Sequence, residues 1–263
     1  MRIKENFYPL IYLIFFILII TLIISCGKDN KTSQNTSEKK DDTTKKTSTT
    51  QTTGAGSSGK EIFYNKSSEN NIACADCHSD GTNTNNPLTK YFSNIQGANK
   101  RTSTFLGKFK GEEVIRNAGG ATFCWQEYMR MKTPLTDGQI NSLNEFYASV
   151  ATPDSPLEIK YETIALPVKD KAKLKEEQKV IMELKGDPTK GEQSFNNACG
   201  FCHGENSTVK KVPSVLEDFE GNVKSITFNA RLGDAAMPFF KKNVLSDQDI
   251  ADISSYILQK SGQ

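Results

Sequence analysis

Apolar and polar positions fall first into long blocks. An apolar run of fifteen residues, 10–24, follows Arg2 and Lys4. Residues 27–57 are almost wholly Gly, Ser, Thr, Asn, Gln, Asp, Glu and Lys. Such a stretch buries too little apolar surface to order itself, so it is expected to be a flexible tether. A chain of that length has a typical reach of about 30 Å. Helical periodicity starts at residue 58, where Ser58 and Glu61 form a capping-box pattern. Gly59 and Phe63 share one face of the helix that follows. Residues 79–110 are rich in Asn, Thr, Gly and Lys and are expected to be loop. Thr136, with Gln139 three residues on, caps an amphipathic helix carrying Ile140, Leu143, Phe146, Tyr147 and Val150. Pro153, Pro156 and Pro167 then predict an extended connector, and residues 169–185, dense in Lys and Glu, a solvated helix. After it the plan repeats. Asp187-Pro188 is an N-cap with Pro at the first helical position, and Gly191 and Phe195 repeat the earlier spacing. Ser246 and Asp249 cap a last helix bearing Ile250, Ile253, Tyr256 and Ile257.

These blocks divide the chain into 1–26, a signal-like segment; 27–57, the tether; 58–150 and 187–263, two folded domains; and 151–186, a linker. A length of 263 residues suits one or two domains. A formal charge of +2 argues against a nucleic-acid partner.

Each folded domain carries the same five-residue pattern, Cys74-Ala75-Asp76-Cys77-His78 and Cys199-Gly200-Phe201-Cys202-His203. C-x-x-C-H is the attachment motif of c-type haem. Two thiols three residues apart lie on one side of a helical turn, where they can add to the two vinyl groups of one porphyrin. The His that follows can then face the iron. A redox disulfide or half a zinc site also uses C-x-x-C. The chain has only two His, however, and each directly follows a C-x-x-C pair. Four of the six Cys are thereby used, leaving Cys26 and Cys124. Two covalently bound haem c groups are expected.

Ile23-Ile24-Ser25-Cys26 resembles a bacterial lipobox, in which the Cys is lipidated and becomes the mature N-terminus. The alternative is an uncleaved N-terminal transmembrane anchor, for which residues 7–24 are barely long enough. Either places the remainder on the periplasmic side of a bacterial membrane.

The order of capped helix, haem motif, loops and capped helix resembles class I cytochrome c twice over. The resemblance implies an all-α fold of two tandem domains. In each, the first and last helices cross at a Gly and an aromatic. Here these are Gly59 and Phe63 against Leu143 and Phe146, then Gly191 and Phe195 against Ile253 and Tyr256. It also implies Met237, in Ala236-Met237-Pro238, as the ligand opposite His203. Pro87 and Pro213 are implied as carbonyl acceptors for the two proximal imidazoles. In the first domain Cys124, Met129 and Met131 all stand ahead of the last helix. The segment from Phe123-Cys124-Trp125 to Pro134-Leu135 resembles the Cys-ligand segment of thiosulfate dehydrogenases. That likeness favours Cys124 opposite His78 and leaves the two Met as alternatives. The metal ligands are therefore expected to be His78, Cys124, His203 and Met237.

The reading is an exported, lipid-anchored electron carrier working between redox proteins. The alternative is a sulfur-compound oxidoreductase with a Cys-ligated haem. No further His remains for a dihaem peroxidase or a hydrolytic triad.

Overall fold

The computed structural model describes residues 57–82, 86–217 and 219–262. The signal-like segment, Cys26 and the tether up to residue 56 lie outside them. All described residues fall in one compact unit, Gln51–Gln263. Among them no helix is long and apolar enough to cross a membrane.

Helix α1 (Gly59–Tyr64) starts at a capping box. Ser58 Oγ accepts from the Glu61 N–H and Glu61 accepts from the Ser58 N–H, which satisfies two otherwise orphaned donors. The first haem motif is a single turn, α2 (Cys74–Cys77). The stretch read as loop holds three short 3-10 turns and strand β1 (Ser103–Thr104), which pairs antiparallel with β2 (Phe109–Lys110). Helices α3 (Glu112–Arg116) and α4 (Ala121–Glu127) follow, then α5 (Asp137–Ser149), capped by Thr136 and Gln139. The second half comprises α6 (Lys171–Glu183), α7 (Pro188–Ala198), α8 (Gly200–His203), α9 (Val223–Leu232) and α10 (Asp247–Lys260). Asp187 caps α7, with Pro188 at its first position, and a Ser246–Asp249 capping box starts α10.

In both halves the first and last helices cross at the expected residues. A Cβ on Gly59 would run into the backbone carbonyl of Ser142, and one on Gly191 into that of Asp252. Only a residue without a side chain permits such an approach. Aromatics fill the remaining space: the Phe63 and Phe146 rings lie 5.5 Å apart, and Phe195 and Tyr256 5.4 Å. Phe63, Leu143 and Phe195 have no exposed surface.

The halves interlock. Phe201 and Cys202, from the second motif, pack against the core built on Phe63, Trp125 and Leu143. Cys77, Leu88 and Phe92, from the first half, pack against the core built on Phe195, Leu245 and Ile253. The Lys210 N–H donates to the Asn70 carbonyl at 3.0 Å.

Helix α6 forms where the composition suggests a helix and is capped by Asp170, but it is not uniformly solvated. Leu174 and Ile181 are buried on its inner face. Its Glu177 accepts from Arg231 Nε at 2.7 Å. Arg231, 1% exposed, also donates to Asp247 and to the carbonyls of Leu245 and Phe240. One guanidinium thus ties α6, α9 and the start of α10 together, with all three of its nitrogens used. Helix α9 carries no strong sequence cue, because its cap is Asn222 with Ser225 rather than an acidic residue.

Candidate functional site

Each motif builds the same small device. In α2 the His78 N–H closes the turn on the Cys74 carbonyl at 2.9 Å, and in α8 the His203 N–H does the same with Cys199. Both Cys of a pair and the following imidazole thereby face one space. His78 Nδ1–H donates to the Ser93 carbonyl at 2.7 Å. His203 Nδ1–H donates to the Pro213 carbonyl at 3.1 Å. A backbone oxygen can only accept, so each bond fixes the tautomer and leaves Nε2 with a lone pair for a metal. Pro213 plays the expected part. Pro87 does not: it opens the 3-10 turn Pro87–Tyr91, and Ser93 takes the role beyond that turn.

Electrostatics keep both imidazoles neutral. Burial lowers the His78 pKa to about 4. The Ser93 carbonyl works against this, and the Lys241 and Arg101 cations add to it. Burial also lowers His203, opposed by its bond to Pro213. Neutral imidazole is the ligating form. Burial pushes the Cys74 and Cys199 thiols up to about 12 and Cys202 to about 11. The five described cysteines are all free of disulfides.

Asp76, inside the first motif, braces it. It accepts from the Ala73 N–H and from Lys66 Nζ, each at 2.6 Å. The Lys66 ammonium also stands 5.2 Å from the centroid of the Phe201 ring in the other motif.

The two motifs open into one cavity of about 1230 Å³. It is lined by all four motif cysteines, His78 and His203, and by Cys124, Met129 and Met237. Met131 is elsewhere: it does not line the cavity, and its sulfur lies 3.4 Å from Ser67 Oγ, whose hydroxyl donates to the Met129 carbonyl at 2.6 Å. Met129 is 2% exposed, with its sulfur 3.7 Å from Cys74 Sγ. Cys124 lies on α4, its thiol raised to about 12 by burial. It becomes a thiolate there only if a metal replaces the proton.

Met237 sits in a tight turn. Its N–H donates to the Asp234 carbonyl at 2.7 Å. Gly233 holds φ +66°, and a Cβ there would stand 2.6 Å from the Met237 carbonyl, so the turn requires glycine.

Among the described residues no group of three or more His, Cys, Asp or Glu could hold a metal ion directly. A bare zinc site therefore has no ligand set there, whereas a planar prosthetic group attached through thiols has one. The cavity is larger than the roughly 300–1,000 Å³ usual for one small ligand. The residues present fit haem c: paired thiols, a neutral imidazole with a free Nε2, and largely apolar walls.

Ser93, Arg101, Tyr161 and Lys241 also line this cavity and escaped the sequence reading. They are single residues in irregular segments, and no motif marks them.

Comparisons with known proteins agree with this chemistry. The family described as cytochrome c oxidase, cbb3-type, subunit III matches residues 186–257. Cytochrome c6 of Diacronema lutheri is 37% identical over 84 residues, covering 29% of this chain and 100% of that protein. Cytochrome c6 of Bumilleriopsis filiformis is 36% identical over 83 residues, 29% of this chain and 95% of that protein. Cytochrome c6 of Petalonia fascia is 37% identical over 83 residues, 28% and 94% respectively. No solved structure matches the chain.

Proposed function

The chain belongs to the c-type cytochromes, electron-transfer proteins with covalently bound haem c, and from that premise we propose that it carries two such haems and passes single electrons between them. The observation that carries this reading is the single cavity faced by both motifs. Cys74 and Cys77 would hold one haem and Cys199 and Cys202 the other, with His78 and His203 as proximal ligands. The haem iron, when bound, supplies the one-electron couple. The protein's own work is to fix geometry and exclude water. The Ser93 and Pro213 carbonyls aim the imidazoles, and the interlocked cores dry the space between the motifs.

Met237 is the sixth ligand we assign to the second haem, held by the Gly233 turn. For the first we assign Cys124, with Met129 as the competitor that also lines the cavity. A thiolate stabilises ferric iron, and Met with His raises the potential, so the pair would be directional. The lipobox-like Cys26 supports export and a lipid anchor on the periplasmic side, with redox proteins as partners. In this reading the two haem-bearing halves, 58–150 and 187–263, correspond to two cytochrome c-like domains joined by 151–186.

Redox titration of the full chain, followed by visible spectroscopy, tests the proposal. Two one-electron components separated in potential are expected, and a single component would refute it. A second reading rests on Cys124 in the cavity wall: a thiosulfate dehydrogenase-like oxidoreductase. Reduction of the purified protein by thiosulfate would select that reading, and its absence the carrier.

A further inference from the structure

Among the described residues, two cations in the cavity wall, Arg101 and Lys241, form no ion pair. Arg101 is 7% exposed. It donates through Nη2 to the carbonyls of Asn94 and Gln96, at 2.8 and 3.3 Å, while its buried Nε has no partner. Lys241 is 8% exposed. Its ammonium stands 3.6 Å from the centroid of the Tyr161 ring. Among the described residues it has neither a carboxylate nor a hydrogen-bond partner, and Arg101 makes no ion pair. Both line the cavity with His78, and the Asn94 carbonyl that takes Arg101 directly follows Ser93, whose carbonyl accepts from His78.

Buried charges are normally paired, because an isolated one loses its hydration without recompense. The cation–π contact with Tyr161 offsets only part of that loss. The missing partner is therefore an anion that enters the cavity beside His78. Haem carries two carboxylates on the edge opposite its vinyl groups. Thioether bonds at Cys74 and Cys77 would anchor the vinyl edge, leaving the carboxylates to find cations elsewhere in the wall.

The source of Lys241 is unexpected. It lies four residues after Met237, in the second half. The intervening Phe240 packs against Tyr91 and Phe92 of the first half, at ring distances of 5.6 and 5.5 Å. Phe92 in turn lies 6.0 Å from the His78 ring. One short loop thus carries the proposed ligand of the second haem and a charge in the site of the first.

We propose that Arg101 and Lys241 form a clamp for the carboxylates of the first haem, and that the Met237 loop supplies half of it from the other side of the molecule. This rests on the two-haem reading given above. A cation beside the haem favours the added electron of the ferrous state, so the clamp raises the first haem's potential.

The test uses the full chain with haem content checked first by intact mass. A protein with one haem would be a failure of the two-haem reading, seen before any titration begins. In the doubly loaded protein, Lys241→Met should shift the first haem about tenfold toward the oxidised form at fixed ambient potential, a change of about 59 mV for one electron. Lys241→Arg should restore it, and the second haem should move much less. The first haem is identified as the component left in place by Met237→Ala. If Lys241→Met does not accumulate as holoprotein, Arg101→Gln makes the same test. An unmoved first haem, or equal shifts at both haems, would overturn the clamp.

Discussion

The close crossing of α7 and α10 gives the sharpest test of how the sequence builds the fold. An Ala in place of Gly in a helix interior usually adds about 0.5–1 kcal/mol of stability. At Gly191 the sign should reverse. The added Cβ would meet the backbone carbonyl of Asp252 and stand 2.9 Å from Tyr256 Cβ. Neither is the tip of a flexible side chain, so α7 and α10 must separate. That movement loosens Phe195 and Ile253, which fill the crossing and are 0% and 2% exposed. Overpacking of this kind costs about 1–3 kcal/mol, and a collision with main chain belongs near the top of that range. Setting the helical gain against it leaves a net loss of about 2 kcal/mol. Gly138 supplies the control. It is exposed near the start of α5, where a Cβ would find only Thr136 Oγ1 at 4.0 Å. Guanidinium unfolding of the holoprotein, read by far-ultraviolet circular dichroism, should show a lower midpoint for Gly191→Ala with an unchanged slope. Gly138→Ala should unfold at or above the wild-type midpoint. Equal midpoints for the two variants would refute the crossing argument.

Four further outcomes are expected. Met237→Ala should abolish the weak near-infrared band of Met-ligated ferric haem and lower that haem's potential; an unchanged spectrum would remove Met237 as ligand. Electron paramagnetic resonance of the full chain should show a thiolate-type low-spin ferric signal that vanishes in Cys124→Ala and persists in Met129→Ala; the reverse pattern would hand the ligand role to Met129. Arg231→Met should cost about 3 kcal/mol in a denaturant titration, the low end for breaking a buried ion pair, because Glu177 and Asp247 would keep only Lys242; a loss below about 1 kcal/mol would count against the tie. The same cluster makes a statement about acid. Burial would raise the Asp247 pKa, but Lys242 and Arg231 outweigh it and hold the carboxyl below its ordinary value of 3.8. Its stabilisation is complete above that value and disappears as pH falls through the lower folded one, so Asp247→Asn should flatten the acid limb of the stability curve.

The parts of the fold that could be read from sequence are those set by local rules. Three capping boxes, at Ser58, Thr136 and Ser246, form as their spacing implies, since donor and acceptor are three residues apart. The spacing put each Gly and aromatic on one helix face, and the resemblance to class I cytochrome c supplied their use as helix crossings. The resemblance to class I cytochrome c pointed correctly to Pro213, but Pro87 misled, because distance along the chain does not say which carbonyl a loop turns inward. Arg231 and Glu177 lie 54 positions apart, and as charged residues they read as surface. Arg101 and Lys241 escaped for the same reason. Their burial depends on a cavity created by distant segments, and nothing near either residue signals it. The interlocking of the halves was also hidden, since Cys77 and Phe201 each complete a core that their own half does not build.

The central claim is that both C-x-x-C-H motifs are loaded. Intact-mass measurement of the full chain, matured with the haem-attachment machinery, tests it most directly. Two haem additions, each lost separately when Cys74 with Cys77 or Cys199 with Cys202 is replaced by Ser, are the predicted result. A fully matured chain that carries one haem would contradict the account.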